Sequence, residues 1–293
     1  MRYSPSMPRY LVLAALALIA TTWMPKNLSG HEPPPIPTEH HFAFLVQGPS
    51  GLETLQIAAI APPGQPVDPR AFAAAFAAAL PTSTPIPPPA ATAAFALDQV
   101  RWLEPRIPWH YNPAGAPTAL EPETAHRAIL AGAAGWRFAG DTPVEFLYGG
   151  QTATPTGCAG DPATHPYTRD GANIVGWNTI PGGYLGYTCW WRGTSLVEGT
   201  PYFELLEFDI VLSPSHPYTA DLLRALALHE FGHALGLAHS DHCPGAAMCP
   251  GEGALVHLEP QPDDLAGLLA LYGRATPPTR LPAKARLPLL ARD

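Results

Sequence analysis

Residues 229–240 read HEFGHALGLAHS, and this stretch decides both the fold and the chemistry of the chain. His229 and His233 are four residues apart, so on a helix they lie on one face, one turn apart, where they can share a metal ion. Gly236 can adopt the left-handed conformation that ends a helix, which lets His239 return as a third ligand. Three imidazoles and one water form the donor set of an open, catalytic zinc site.

Glu230 directly follows the first of these histidines, close enough to reach a zinc-activated water without being a ligand. Zinc lowers the pKa of such a water toward about 7 and polarises a scissile carbonyl. Glu230 is therefore predicted to be the general base, which takes a proton from the water and passes it to the leaving amine. The alternative is three core histidines satisfied by hydrogen bonds. Burying three imidazoles without partners is unfavourable, which argues against it.

A buried helix is predicted to carry this motif. The preceding residues, DLLRALAL, are apolar on more than one face, which is typical of a helix packed centrally in a core. We expect the helix to run over 219–235.

The motif matches H-E-x-x-H-x-x-G-x-x-H and so resembles the metzincins, a group of zinc peptidases with a later methionine turn. Met248, in GAAMCPG, resembles the Met-turn methionine, which supports the metal site without ligating it. Ser240 after the third histidine resembles the matrixin branch, and so do residues 263–273, DDLAGLLALYG. The likeness spans residues 98–273 and is most specific over 226–273.

The resemblance implies an α+β, zincin-like fold. A twisted, mostly parallel five-stranded sheet would pack on two long helices, with a Met-turn and a C-terminal helix. It also implies one catalytic Zn2+, held by His229, His233 and His239, and a peptide substrate bound as an extended strand along the sheet edge. The function expected is that of a zinc metalloendopeptidase. The alternative is a secreted zinc-binding or surface-anchored module without turnover, against which the presence of Glu230 argues.

Two features of matrixins are missing from the sequence. No cysteine precedes Cys158, so latency through a prodomain cysteine switch is not supported. A segment binding structural zinc or Ca2+ is not recognisable between 150 and 200. Asp161, His165 and Asp170 are the candidates there, and we interpret them as solvated loop residues.

Some aromatic and histidine residues near the motif are interpreted as packing or surface residues. His242 and His257 lie off the ligand pattern and are interpreted as surface residues. Trp190 and Trp191 could line a cleft, but packing is the commoner role of such side chains.

Four cysteines suit an oxidising compartment and predict two disulfides. Three pairings can be drawn, and we favour Cys158–Cys189 and Cys243–Cys249 because both close local loops. No C-x-x-C spacing occurs, which excludes a zinc ribbon.

Four segments are predicted along the chain. Residues 1–30 resemble a signal peptide, with two arginines before an apolar run that is too short for a comfortable membrane span; an uncleaved N-terminal anchor is the alternative. Residues 31–97 are rich in Pro and Ala and include a small β-hairpin and helix, either a pro-region or an accessory unit. Residues 98–273 form the catalytic domain, and 274–293 a disordered tail.

Local patterns predict the secondary structure. Strands FAFLVQ and LETLQIAAI in 42–60 are joined by the turn GPSG, and a helix follows over 68–80. A Pro/Ala/Thr linker occupies 81–92. Further strands are predicted within RWLEPRIPWHYNP and at VEFLY, NIVGW and FELLEFDIVLS, with a helix around Trp136, while 149–199 is otherwise loop-rich.

Composition excludes some partners. The net charge is -8 and no basic stripe is present, so nucleic acid is not expected to bind. The chain is expected to be a secreted monomer, and to contact a membrane only through an uncleaved N-terminal segment.

Overall fold

The computed structural model describes the following residues: 39–48, 51–62, 65–79, 84–85, 97–157, 169–240, 243, 245–250 and 255–275. The predicted signal segment or anchor, the Pro/Ala/Thr linker apart from two residues, and most of the predicted tail lie outside these ranges. So do Cys158, Asp161, His165 and His242. Within the described ranges, no helix is both long and apolar enough to span a bilayer.

The described residues build a nine-stranded mixed sheet. Its strands are β1 (Glu39–Gly48), β2 (Gly51–Ile60), β3 (Thr84–Pro85), β4 (Val100–Arg101), β5 (Arg106–Tyr111), β6 (Glu145–Gln151), β7 (Ile174–Trp177), β8 (Gly186–Leu196) and β9 (Phe203–Leu212). Their order is β3-β1-β2-β8-β9-β7-β5-β6, and β4 pairs with β9. The predicted α+β class is confirmed.

The predicted five-stranded, mostly parallel sheet needs correction. Pairs β5–β6, β5–β7, β7–β9 and β4–β9 are parallel. Pairs β8–β9, β2–β8, β1–β2 and β1–β3 are antiparallel. The sheet is larger because the N-terminal hairpin, β1 and β2, joins it along β8 instead of forming a separate unit.

Four α-helices cover the two faces of the sheet: α1 (Pro69–Ala79), α2 (Pro122–Gly135), α3 (Ala220–His233) and α4 (Pro262–Tyr272). Helices α2, α3 and α4 bury apolar side chains in one core with one face of the sheet. On the opposite face, Phe72 and Phe76 of α1 pack in a second core with Tyr187 and Trp191 of β8. Side chains of a strand alternate between faces, so β8 serves both cores.

Helix α3 is held by hydrogen bonds at both ends and along its length. Thr219 is the N-cap residue, and its hydroxyl accepts from the Leu222 amide at 3.1 Å. At the C-terminal end, the indole N–H of Trp102 donates to the carbonyl of the C-cap residue Ala234, and in the middle of the helix that of Trp136 donates to the Leu228 carbonyl, both at 2.8 Å. These bonds satisfy backbone groups that water cannot reach and hold the helix in register.

Most predicted elements are present, with two differences. The stretch GYTCWWRGTSL, expected to be loop, is the long strand β8. The first strand begins at Glu39, so His40 and His41 belong to β1 instead of to the polar spacer that precedes it.

Candidate metal centre

Helix α3 and the chain that follows it bring three imidazoles together. The Nε2 atoms of His229 and His233 are 3.1 Å apart, and those of His233 and His239 are 3.2 Å apart. Among the described residues these three form a group whose ligand atoms all lie within 4.8 Å of one another. His229 and His233 are fully buried and His239 is half-buried.

The other ring nitrogens of the two helical histidines are held by the backbone. The Nδ1 atom of His229 lies 2.8 Å from the Ala247 carbonyl oxygen, and that of His233 lies 2.8 Å from the Leu237 carbonyl oxygen. A carbonyl oxygen only accepts, so each Nδ1 carries the hydrogen. The Nε2 lone pairs are then left facing the centre of the cluster.

This arrangement of nitrogens fits a cation. Lone pairs held so close together repel one another unless a positive charge lies between them. Neutral imidazole Nε2 atoms with their Nδ1–H groups bonded to carbonyls are the usual form of histidine zinc ligands. The residues present therefore fit one zinc ion.

The turn after α3 depends on Gly236. Its φ of +90° is in the region that L side chains rarely adopt, and its amide donates to the His233 carbonyl at 2.8 Å. A Cβ at this position would also collide with the Val100 carbonyl oxygen. Two constraints therefore select glycine at the point where the chain reverses toward His239.

Glu230 lies beside the histidine cluster, under β8. It is fully buried, and its Oε2 accepts a short hydrogen bond from the hydroxyl of Thr188, whose oxygen also lies 2.9 Å from the Glu230 carbonyl oxygen. A Cβ on Gly186, the first residue of β8, would lie 3.4 Å from Glu230 Oε1. The glutamate is thus oriented by the strand above it.

Met248 lies directly below α3. It is 2% exposed, and a Cβ on Gly232 would collide with its sulfur. The carboxylate of Asp264, in the first turn of α4, accepts from the amides of Ala247 at 2.8 Å and Met248 at 3.0 Å. This carboxylate therefore fixes the turn beneath the helix.

A disulfide joins Cys243 to Cys249 in the same loop. Cys189 of β8 is also disulfide-bonded. Its predicted partner, Cys158, lies outside the described residues.

Two further features of the cluster come from the strands. The Trp190 ring is stacked on that of His233, with centroids 6.0 Å apart and an interplanar angle of 8°. Trp190 and Trp191 are both buried, as packing residues are. His41 of β1 places its Nε2 3.1 Å from the Nδ1 of His239.

Two of the remaining predicted candidates, Asp170 and His257, lie within the described residues and are not among the three grouped histidines. Asp170 is exposed, and its side chain accepts from the Ala172 amide at 2.9 Å. His257 is half-buried.

Sequence reasoning missed two residues at the site. Thr188 was within the stretch assigned to loop, and His41 was at the end of a proline-rich spacer. Neither belongs to a motif, and only the pairing of distant strands brings them to the cluster.

Comparison with known proteins agrees with the geometry. Residues 169–273 match the sequence model of the matrixin family. Over 58 residues the chain is 47% identical to Matrix metalloproteinase-19 of Homo sapiens and 45% identical to that of Mus musculus. It is 43% identical over 58 residues to Interstitial collagenase of Bos taurus.

These matches are local. Each covers 20% of this chain, and 11% or 12% of the relative's own length. The matched family segment begins between β6 and β7 and continues through the histidine cluster to the end of α4. Residues 169–273 are therefore similar in sequence to matrixins, in agreement with the resemblance of residues 229–240 and of the segment around Met248 to that family.

Proposed function

We propose that this protein is an exported zinc-dependent endopeptidase, with His229, His233 and His239 as the ligands of one zinc ion. The observation that carries the proposal is the convergence of three Nε2 lone pairs, with both helical rings oriented by carbonyl oxygens. When bound there, zinc supplies Lewis-acid polarisation of the substrate carbonyl and makes water acidic enough to be deprotonated near neutral pH.

We assign the remaining steps to residues of the chain. Glu230 takes the proton from the attacking water and delivers it to the leaving amine. The Thr188 hydroxyl, bonded to Glu230 Oε2, keeps that carboxylate pointed at the water. Met248, held under α3 by the Asp264 bonds, supports the histidines from below. The substrate proposed is a peptide in extended form, lying beside β8 above Glu230.

Substitution of Glu230 by Gln tests this assignment. We expect cleavage of casein or gelatin to fall roughly 10²- to 10⁴-fold, because a neutral amide cannot accept the proton. Zinc content, measured by atomic absorption, should stay near one ion per chain, because the glutamate is not a ligand.

The assay should use the full chain in two forms, because the N-terminal hairpin pairs with β8 beside Glu230 and could restrict access to it. One form is intact, and the other is cut at a sequence-specific protease site inserted between Pro89 and Ala90, which separates the hairpin from the rest of the chain. Peptidase activity that survives Glu230→Gln in the cut form would contradict the mechanism. A zinc-loaded wild-type chain that cleaves no peptide in either form would favour the zinc-binding module without turnover.

A further inference from the structure

The N-terminal hairpin lies where an extended substrate would bind. Strand β8 has two edges; β9 pairs along one of them, and the other lies toward β1, whose His41 contacts the rings of His233 and His239. Along that second edge, residues 54–60 of β2 pair antiparallel with 186–192 of β8. A peptide that adds to a sheet edge needs the same backbone groups, so β2 and a substrate strand exclude one another.

The register places the hairpin directly over the reacting groups. Ala58 of β2 pairs with Thr188 on one side and with His41 of β1 on the other. Thr188 bonds to Glu230, and Ala58 faces the core that contains α3. This row of three residues therefore crosses from the predicted general base to the third histidine.

His41 closes the far end of this row. Its ring lies edge-on to His239, with centroids 4.7 Å apart, and edge-on to His233 at 5.8 Å. Its Nε2 is within hydrogen-bond distance of His239 Nδ1. The third histidine is therefore contacted by the hairpin itself, whereas the two helical histidines are held by carbonyls of the catalytic region.

An ion pair with a buried carboxylate ties the hairpin to the segment that precedes β7. Glu53 of β2 is 2% exposed, and Arg169 donates to it from Nε and from Nη2, both at 3.0 Å. The two bonds form a bidentate arginine–carboxylate pair, which is stronger than a hydrogen bond between neutral groups. Trp190 of β8 adds a bond from its indole N–H to Gln56 of β2 at 2.9 Å.

From these contacts we propose that the chain folds in a latent form, in which β2 occupies the substrate position along β8 and His41 covers His239. Release of the hairpin, after a cut between it and residue 97, uncovers the β8 edge and produces the active form. The inference rests on the proposed peptidase function. It supplies a form of latency that needs no cysteine, in agreement with the absence of one before Cys158.

The test uses the full chain with the protease site between Pro89 and Ala90, examined intact and cut. Release of the N-terminal fragment is followed by size-exclusion chromatography, and access to β8 by deuterium uptake of residues 186–192. Turnover is measured with a fluorogenic peptide. We expect the released form to exchange faster over 186–192 and to turn over the peptide at least about tenfold faster than the intact chain. A synthetic peptide of residues 51–60 should inhibit it, and a peptide of reversed sequence should not.

Two arginine variants distinguish release of the N-terminal fragment through loss of its own contacts from release through a general loss of stability. Arg169→Ala removes the tie to Glu53 and should speed release of the fragment from the cut chain. Arg106→Ala removes an ion pair with Glu145 between β5 and β6, away from the hairpin, and should leave release unchanged. Zinc content and near-ultraviolet circular dichroism confirm that the released protein remains folded.

The outcomes distinguish this inference from the peptidase proposal. If the intact chain turns over the peptide as fast as the released form, the hairpin does not block the site and latency is refuted. If release exposes 186–192 to exchange but no peptide is ever cleaved, the occlusion stands and the peptidase proposal fails. If the cut fragment separates without any change in exchange over 186–192, β2 does not protect that edge and the inference is overturned.

Discussion

At the scale of single residues, Thr188 connects strand β8 to Glu230, the predicted general base. Its single hydroxyl hydrogen lies within reach of both the Glu230 carboxylate and the Glu230 carbonyl, so this side chain helps to position the predicted base. Threonine is well suited to this role because its β-branch also stiffens the side chain in a strand.

Thr188→Val should therefore lower kcat while leaving zinc content unchanged. A hydrogen bond to a charged group contributes about 1.5–3 kcal/mol, which corresponds to roughly a 10- to 100-fold loss of rate. The measurement is kcat in the form with the hairpin released, together with zinc stoichiometry.

Thr156→Val is the matched control. Its hydroxyl also lies within bonding distance of two backbone carbonyls, those of Ile174 and Ile210, but not of Glu230. We expect it to cost some stability and to keep kcat. Equal losses in the two variants would mean that Thr188 acts only through the fold.

At the scale of elements, the turn that ends α3 determines whether the third histidine reaches the other two. The helix supplies His229 and His233 by its own periodicity. His239 arrives only because the chain reverses at Gly236, where the backbone is left-handed and passes against Val100.

Gly236→Ala should therefore lose both stability and metal. The left-handed conformation and the overlap with the Val100 carbonyl oxygen together should lower the free energy of unfolding by about 2–5 kcal/mol. Zinc affinity, measured by competition with a chelator, should fall as His239 is displaced.

Gly199→Ala is the comparison. Its φ is +73°, but a Cβ there would meet nothing within 4 Å. It should cost only about 1–2 kcal/mol and leave zinc affinity unchanged. A Gly236 variant that behaves like the Gly199 variant would show that the turn is not held against Val100.

The sequence predicted structure best where all the residues that determine an element lie within one short segment. The spacing of His229, Gly236 and His239 is local, so both the helix and the turn could be predicted. Strand β8 could not, since its start, GYTCWW, is buried throughout and shows no alternation of polar and apolar residues. The docking of the hairpin also escaped prediction, because pairing between residues more than 100 positions apart leaves no local pattern. His41 was missed for the same reason.

At the scale of the whole molecule, a buried carboxylate on the second face of the sheet should make stability depend on pH. Glu207 of β9 is 6% exposed, and burial raises its pKa to about 7, opposed by hydrogen bonds from the Gly171 and Asp170 amides. Its pKa in the unfolded chain is near the ordinary value of 4.5. Between these two values the folded state holds more proton than the unfolded state, so stability falls as pH rises from about 4.5 to about 7.

Glu207→Gln should remove this carboxylate's share of the dependence, while the neighbouring Asp209, whose pKa burial also raises, keeps its own. We expect the variant to gain stability relative to the wild type as pH rises through this window, because the amide does not ionise. Urea unfolding at pH 5 and pH 8 of both proteins measures it, and the difference in unfolding free energy between the two proteins cancels the contributions that they share. A constant difference at the two pH values would show that Glu207 ionises equally in the folded and unfolded chains.

The second core has a consequence for the lifetime of the active protein. Tyr187 and Trp191 of β8 are covered by α1 and the hairpin, and Trp191 is 1% exposed. A chain that loses the hairpin to gain access to its substrate also uncovers this aromatic surface, which then tends to aggregate or to be degraded. Under the proposed latency, activation and durability are therefore opposed, and the released form is expected to lose soluble, folded protein faster than the intact chain.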